Sequence, residues 1–216
     1  MKSFFHMFLG ALCALLFAPL ATASPLETTV WIEVARDEVM NFNGNRLPRA
    51  SIGMGTAMPE RDIFTAAHVV WGAQRITVTD SSGAKHRAIV VGIDKELDAA
   101  VLRVERELVH TTVLRTKPVV TGEAVSVVGL RYADEEPILT QGNIASATWT
   151  SHGIPVPLIH SGIKGEKGMS GGGLFDASGN IVGVVVRVDN TLGYLSVLPI
   201  TTFCKRFDRC ASVAGK

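Results

Sequence analysis

An all-β fold, either a barrel or a sandwich, is what this sequence predicts, and three observations carry the prediction. Short runs rich in β-branched residues recur along the chain, residues of the Gly, Pro, Asp and Ser kind separate them, and a single stretch near the end has helical character. With 47% hydrophobic residues but only 6% aromatic ones, the core must be filled largely by Val, Ile, Leu and Ala. A length of 216 residues suits one domain or one double-barrel unit.

The first residues read as a leader, not as part of the fold. Lys2 supplies a positive start, an apolar run covers 8–18, and Ala21-Thr22-Ala23 is a small-x-small cleavage signal. The run lies between His6 and Pro19 and falls short of the roughly 20 apolar residues that a membrane-spanning helix needs. The expectation is removal of residues 1–23, a mature start at Ser24, an exported protein, periplasmic or secreted, and no stable membrane anchor after cleavage. Cys13 leaves with the leader, and Leu12 before it is not the small residue of a lipoprotein signal.

Strands are expected at 28–35, 50–57, 62–65, 75–79, 88–93 and 100–104, then at 124–130, 139–149, 156–160, 173–176, 181–188 and 193–198. Ser82-Gly83 and Ser178-Gly179-Asn180 suit hairpin turns. The stretch 113–121 contains Pro118 and has weak patterning, so it reads as a connection between two halves. Residues 201–209 read as a helix, with Lys205, Arg206 and Arg209 placed for its negative C-terminal end. Cys204 and Cys210 stand six apart, about 9 Å on a continuous helix, which is too far for a disulfide. Either the helix ends between them and they bridge, or they remain two thiols.

Without Lys2 of the leader, the 21 basic residues fall to parity with the 20 acidic ones. That balance gives no electrostatic basis for binding nucleic acid or an anionic membrane surface. The histidines show no spacing that suggests a metal site. His86, His110, His152 and His160 are expected at the surface or hydrogen-bonded.

Three segments carry chemistry. Phe64-Thr65-Ala66-Ala67-His68-Val69-Val70 is a strand that runs into a small-residue turn and presents a histidine. Asp98-Ala99-Ala100-Val101-Leu102 sets a carboxylate just before a buried strand, with Asp94 as a competing turn aspartate. Gly168-Met169-Ser170-Gly171-Gly172-Gly173 surrounds a serine with glycines. A serine hydroxyl is a poor nucleophile until a base takes its proton, and an imidazole titrates near neutrality. A carboxylate then fixes the imidazole tautomer and stabilises the cation that forms. Glycines let backbone N–H groups approach a substrate oxygen, and here Gly168 and Ser170 are the candidate donors.

These segments resemble the TAAH, D-(L/I)-A-(V/L)-L and G-x-S-G-G motifs of trypsin-like peptidases, and most of all those of the bacterial HtrA-like branch, over residues 51–186. The resemblance implies two six-stranded chymotrypsin-like β-barrels, about 24–115 and 120–200, followed by a short C-terminal helix at about 200–209. It implies a triad of His68 and Asp98 from the first barrel and Ser170 from the second, an oxyanion hole at Gly168 and Ser170, polypeptide substrates and no cofactor. No segment is left over for a PDZ domain, and the oligomeric state is not legible.

Two positions depart from the wider family. Met169 stands where an Asp or Asn is usual, which excludes activation by pairing with a freed N-terminus and predicts a less firmly held oxyanion loop. Lys164 stands six residues before Ser170, where trypsins carry the Asp that selects basic side chains, so a pocket for an apolar or acidic side chain is expected there instead. A lipase-type G-x-S-x-G elbow needs a histidine after the serine, and the last histidine is His160. The remaining rival is a catalytically silent binding protein on the same fold.

Overall fold

The computed structural model describes residues 23–42, 45–130, 136–151, 153–166, 168–189 and 191–210, without side-chain detail at 37–42, 45–50 and 130. The expected leader at 1–23 therefore lies outside the described residues except for Ala23, as does His152.

Six strands form the first barrel: β1 (Thr29–Phe42), β2 (Asn45–Ala57), β3 (Asp62–Thr65), β4 (Arg75–Thr79), β5 (Lys85–Asp94) and β6 (Ala99–Val104). They close in the order β1-β2-β3-β6-β5-β4, every pairing antiparallel. Six more form the second: β7 (Ala124–Leu130), β8 (Pro137–Trp149), β9 (Leu158–Lys164), β10 (Gly173–Asp176), β11 (Ile181–Val188) and β12 (Tyr194–Pro199). These close as β10-β11-β12-β9-β8-β7. Among the described residues three short α-helices, α1 (Pro25–Thr28), α2 (Ala67–Val70) and α3 (Ile200–Phe207), and a 3-10 turn at Pro59–Arg61 complete the fold.

The alternation of strand side chains explains where the cores sit. Ile32, Val34, Ile63, Val78 and Leu102 fill the first barrel, and Val127, Ile144, Ile163, Leu174 and Val197 the second. A third cluster lies between the barrels and under α3, joining Phe64, Leu97 and Val101 to Phe175, Val184, Leu198 and Phe203. β11 shows the consequence for sequence. Val182 and Val185 enter the second barrel while Ile181, Val184 and Val186 enter the cluster between barrels, so the strand is apolar on both faces.

Several strands run longer than the sequence pattern predicts, β1 and β2 by the most. β1 and β2 continue past Ala35 and begin before Ala50, forming an extended hairpin whose register shifts between Arg36 and Val39. The charged Arg36-Asp37-Glu38 breaks the alternation there, and an irregularity in the ladder absorbs it. The link from Val104 to Ala124 is pinned at its middle: Thr112 Oγ1 donates to the Gly179 carbonyl at 2.9 Å, and Leu114 forms a parallel bridge with Ile181. Among the described residues no helix is long and apolar enough to cross a membrane.

α3 ends at Phe207, and Asp208 turns the chain in the left-handed region at φ 50°. That turn brings the Cα atoms of Cys204 and Cys210 to 5.2 Å, and the two cysteines form a disulfide.

Candidate active site

His68 is the second residue of α2, whose N-cap residue, Ala66, has no side chain able to cap it. The His68 N–H is therefore one of the orphan donors of a helix start. Asp98 meets it: Oδ1 accepts the His68 backbone N–H at 2.9 Å, and Oδ2 lies 2.8 Å from the ring Nδ1. A carboxylate accepts only, so Nδ1 carries the proton and Nε2 is left as the basic nitrogen. One side chain thus fixes both the position and the tautomer of the imidazole. Asp94 has no such contact; it bonds instead to the N–H groups of Glu96 and Leu97 and to Arg206.

Arg36 holds the other end of α2. Its guanidinium donates to the Val69 and Trp71 carbonyls at 2.9 Å each, and to Ser51 Oγ. Lysines and arginines near a helix C-terminus satisfy its open carbonyls. Nothing in the sequence signals this role, because Arg36 is 32 residues away from His68 and the two meet only through barrel closure.

Ser170 lies in the loop between β9 and β10. Met169 before it is 2% exposed and packs in the core of the second barrel, with its side chain against the backbone of Gly129. Where the wider family has a polar residue, an apolar side chain packed in the core holds this position. The Met169, Gly171 and Gly172 N–H groups bond to the Glu166, Val185 and Met169 carbonyls. Among the described residues no acceptor is found for the N–H groups of Gly168 and Ser170. The Ser170 carbonyl accepts from Met54 N at 2.8 Å, which fastens the loop to the first barrel.

His68, Asp98 and Ser170 line one cleft of about 540 Å³, together with Trp71, Lys95 and the edge residues Val186, Arg187 and Val188. Lys95 holds its ammonium 3.5 Å above the Trp71 ring at this cleft. β11 pairs with β10 as far as Val184, and beyond that pairing Val186 and Val188 line the cleft. A second opening of similar volume, lined by Ser126, Gln141 and Asn143, contains no residue of the three motifs.

Lys164 is not among the residues that line the cleft with Ser170; its ammonium donates to the Leu192 carbonyl at 2.6 Å and lies 4.3 Å from the Tyr194 ring. His160 departs from expectation in another way. It is buried, stacked on Trp149 at 4.4 Å, and its Nε2 has no hydrogen-bond partner among the described residues. Burial pushes its pKa down, against a smaller upward pull from Asp189. His86, by contrast, is bonded to Asp80 at 2.7 Å. Among the described residues no cluster of His, Cys, Asp or Glu is arranged to hold a metal ion.

Two closed six-stranded antiparallel barrels, with a cleft that draws residues from both, define the chymotrypsin-like class of fold. Residues 53–184 match the model of the trypsin-like peptidase domain, and the chain belongs to that family. It is 32% identical over 164 residues to a probable periplasmic serine endoprotease DegP-like of Halomonas elongata, covering 73% of this chain and 34% of the relative. It is 30% identical over 150 residues to the mitochondrial serine protease HTRA2 of Bos taurus, covering 66% of this chain and 32% of that one. The chain therefore spans about a third of the length of these curated relatives. Among solved structures, the HtrA-type protease AlgW with a tripeptide superposes with a TM-score of 0.73 at 23% identity, over 86% of this chain and 60% of that one. The active form of the Rv3671c protease from M. tuberculosis gives 0.70 at 23% identity, over 89% and 83%.

Proposed function

We propose that the protein is an exported serine endopeptidase with His68, Asp98 and Ser170 as its catalytic triad. The observation that carries this reading is the bonding of one carboxylate, Asp98, to both the ring and the backbone N–H of His68, in the cleft that Ser170 also lines. In this mechanism Ser170 Oγ attacks the peptide carbonyl carbon as His68 Nε2 takes its proton. The Gly168 and Ser170 N–H groups hold the oxyanion, a role open to them because neither has an acceptor among the described residues. The C–N bond then breaks, the leaving amine takes the proton from His68, and water repeats the cycle on the acyl-enzyme.

Val186 and Val188, beyond the last pairing of β11 with β10, line the cleft along which an extended substrate would lie. Trp71, Val186 and Val188 offer apolar contact and Lys95 positive charge, which favours polypeptides with apolar or acidic side chains near the scissile bond. The names of relatives as periplasmic endoproteases, with the leader read at 1–23, support export.

The test is digestion of unfolded casein by residues 24–216 beside the Ser170→Ala variant. Cleavage by the parent and none by the variant is expected. Cleavage by both removes Ser170 from the chemistry, and cleavage by neither leaves the silent binding protein.

A further inference from the structure

We infer that Arg206, on the C-terminal helix, is a positioning residue for the Asp98 carboxylate and acts on it through Asp94. The inference rests on the reading of His68, Asp98 and Ser170 as a triad. Asp98 sits in the left-handed region at φ 54°. For a residue with a Cβ that conformation costs about 1 kcal/mol or more, and Asp is among the residues that tolerate it. A turn of this kind keeps its shape only when its surroundings hold it.

Asp94 opens the turn. Its Oδ1 accepts the N–H groups of Glu96 and Leu97, both at 2.9 Å, which draws 94–97 into a side-chain-capped turn. Its Oδ2 bonds to Arg206 Nε. α3 also meets this hairpin on either side of Asp94. The Phe207 ring lies against Gly92, where a Cβ would stand 2.8 Å from Cδ1, and Leu97 is buried in the same cluster as Phe203. The helix is itself anchored, because Phe203 stacks on Phe64 at 4.4 Å and the Cys204–Cys210 disulfide brackets Arg206 in sequence.

Neither Asp94 nor Arg206 lines the cleft, so neither touches substrate there. Their influence runs through the backbone of the turn to Asp98, whose two oxygens fix His68. The Arg206 side chain is 56% exposed, so its truncation spares the core.

The experiment uses the processed chain with Arg206→Ala, with Asp94→Asn, which keeps an acceptor for the turn amides, and with both. Three readouts are taken: the low-field proton resonance of His68 Nδ1–H bonded to Asp98, the rate at which diisopropyl fluorophosphate labels Ser170, and the thermal melt. Each single variant is expected to slow labelling roughly tenfold, the scale of a small misplacement of catalytic groups, while the melt stays near that of the parent. The double variant is expected to be no slower than either single one, as for two members of one link. The low-field resonance is expected to broaden or move upfield. Unchanged resonance and labelling, or effects that multiply in the double variant, overturn the inference. A parent that is not labelled, but whose resonance still responds to Arg206→Ala, defeats the hydrolase reading and leaves the positioning role standing.

Discussion

At the scale of single residues, one position beside Ser170 admits almost no substitution. Gly171 is at φ 84°, and a Cβ there would stand 2.2 Å from the Met54 carbonyl oxygen and from Thr65 Oγ1. Thr65 Oγ1 is itself bonded to Met54 O at 2.7 Å, so neither atom is free to withdraw. Gly171→Ala is therefore expected to cost at least about 2 kcal/mol, from overpacking added to left-handed strain. Urea denaturation measures the loss, and labelling of Ser170 is expected to fall with it; a variant as stable and reactive as the parent removes the close approach argued here. Gly171 is legible in sequence as part of a glycine run, but only the fold shows which backbone it approaches. His160 was not legible: its burial follows from the pairing of Ser146 and Ser196 on either side of it and from the stacking of Trp149.

At the scale of elements, α3 joins what the strands leave separate. It follows β12 of the second barrel yet sets Phe203 on Phe64 and Arg206 on Asp94, both of the first. The Cys204–Cys210 disulfide closes a short loop at its end, and a loop of that size is worth about 2 kcal/mol in the chain-entropy account. The Cys204→Ser, Cys210→Ser double variant is expected to lose about that much in urea denaturation, with m unchanged. No loss leaves the disulfide without a part in stability. The sequence located this helix to within two residues but left the bridge open, because the bridge depends on the left-handed turn at Asp208.

At the scale of the whole molecule, buried and half-buried carboxylates tie its parts together. Burial acts to raise the Asp94 pKa, but the Leu97 N–H, Arg206 and the Glu96 N–H outweigh it and hold the carboxyl below its ordinary value. The bond from Arg115 lowers Glu123 against burial, with help from the Val120 N–H. Arg115 also lies 3.6 Å from Asp176, so the link between barrels and the second barrel share one cation. A carboxyl whose folded pKa is depressed adds stability above its unfolded pKa and loses it as pH falls through that value towards the folded one. The urea midpoint is therefore expected to slip as pH drops below about 6.5, where the unfolded chain takes up a proton that buried His160 resists, and to fall further as pH passes through the ordinary carboxylate range near 4. Arg115→Met is expected to flatten part of that fall; an equally steep profile in the variant would assign the acid sensitivity elsewhere.

The sequence by itself determined the all-β class, most strand positions and the segments that bear His68, Asp98 and Ser170, because strand alternation, turn residues and glycine runs are local signals. The tertiary structure decided what those segments meet. It placed Met169 in a core, set Arg36 on the helix of His68 and turned Lys164 to the Leu192 carbonyl. Each of these depends on barrel closure, which brings together residues far apart in the chain, and no local pattern encodes such a contact.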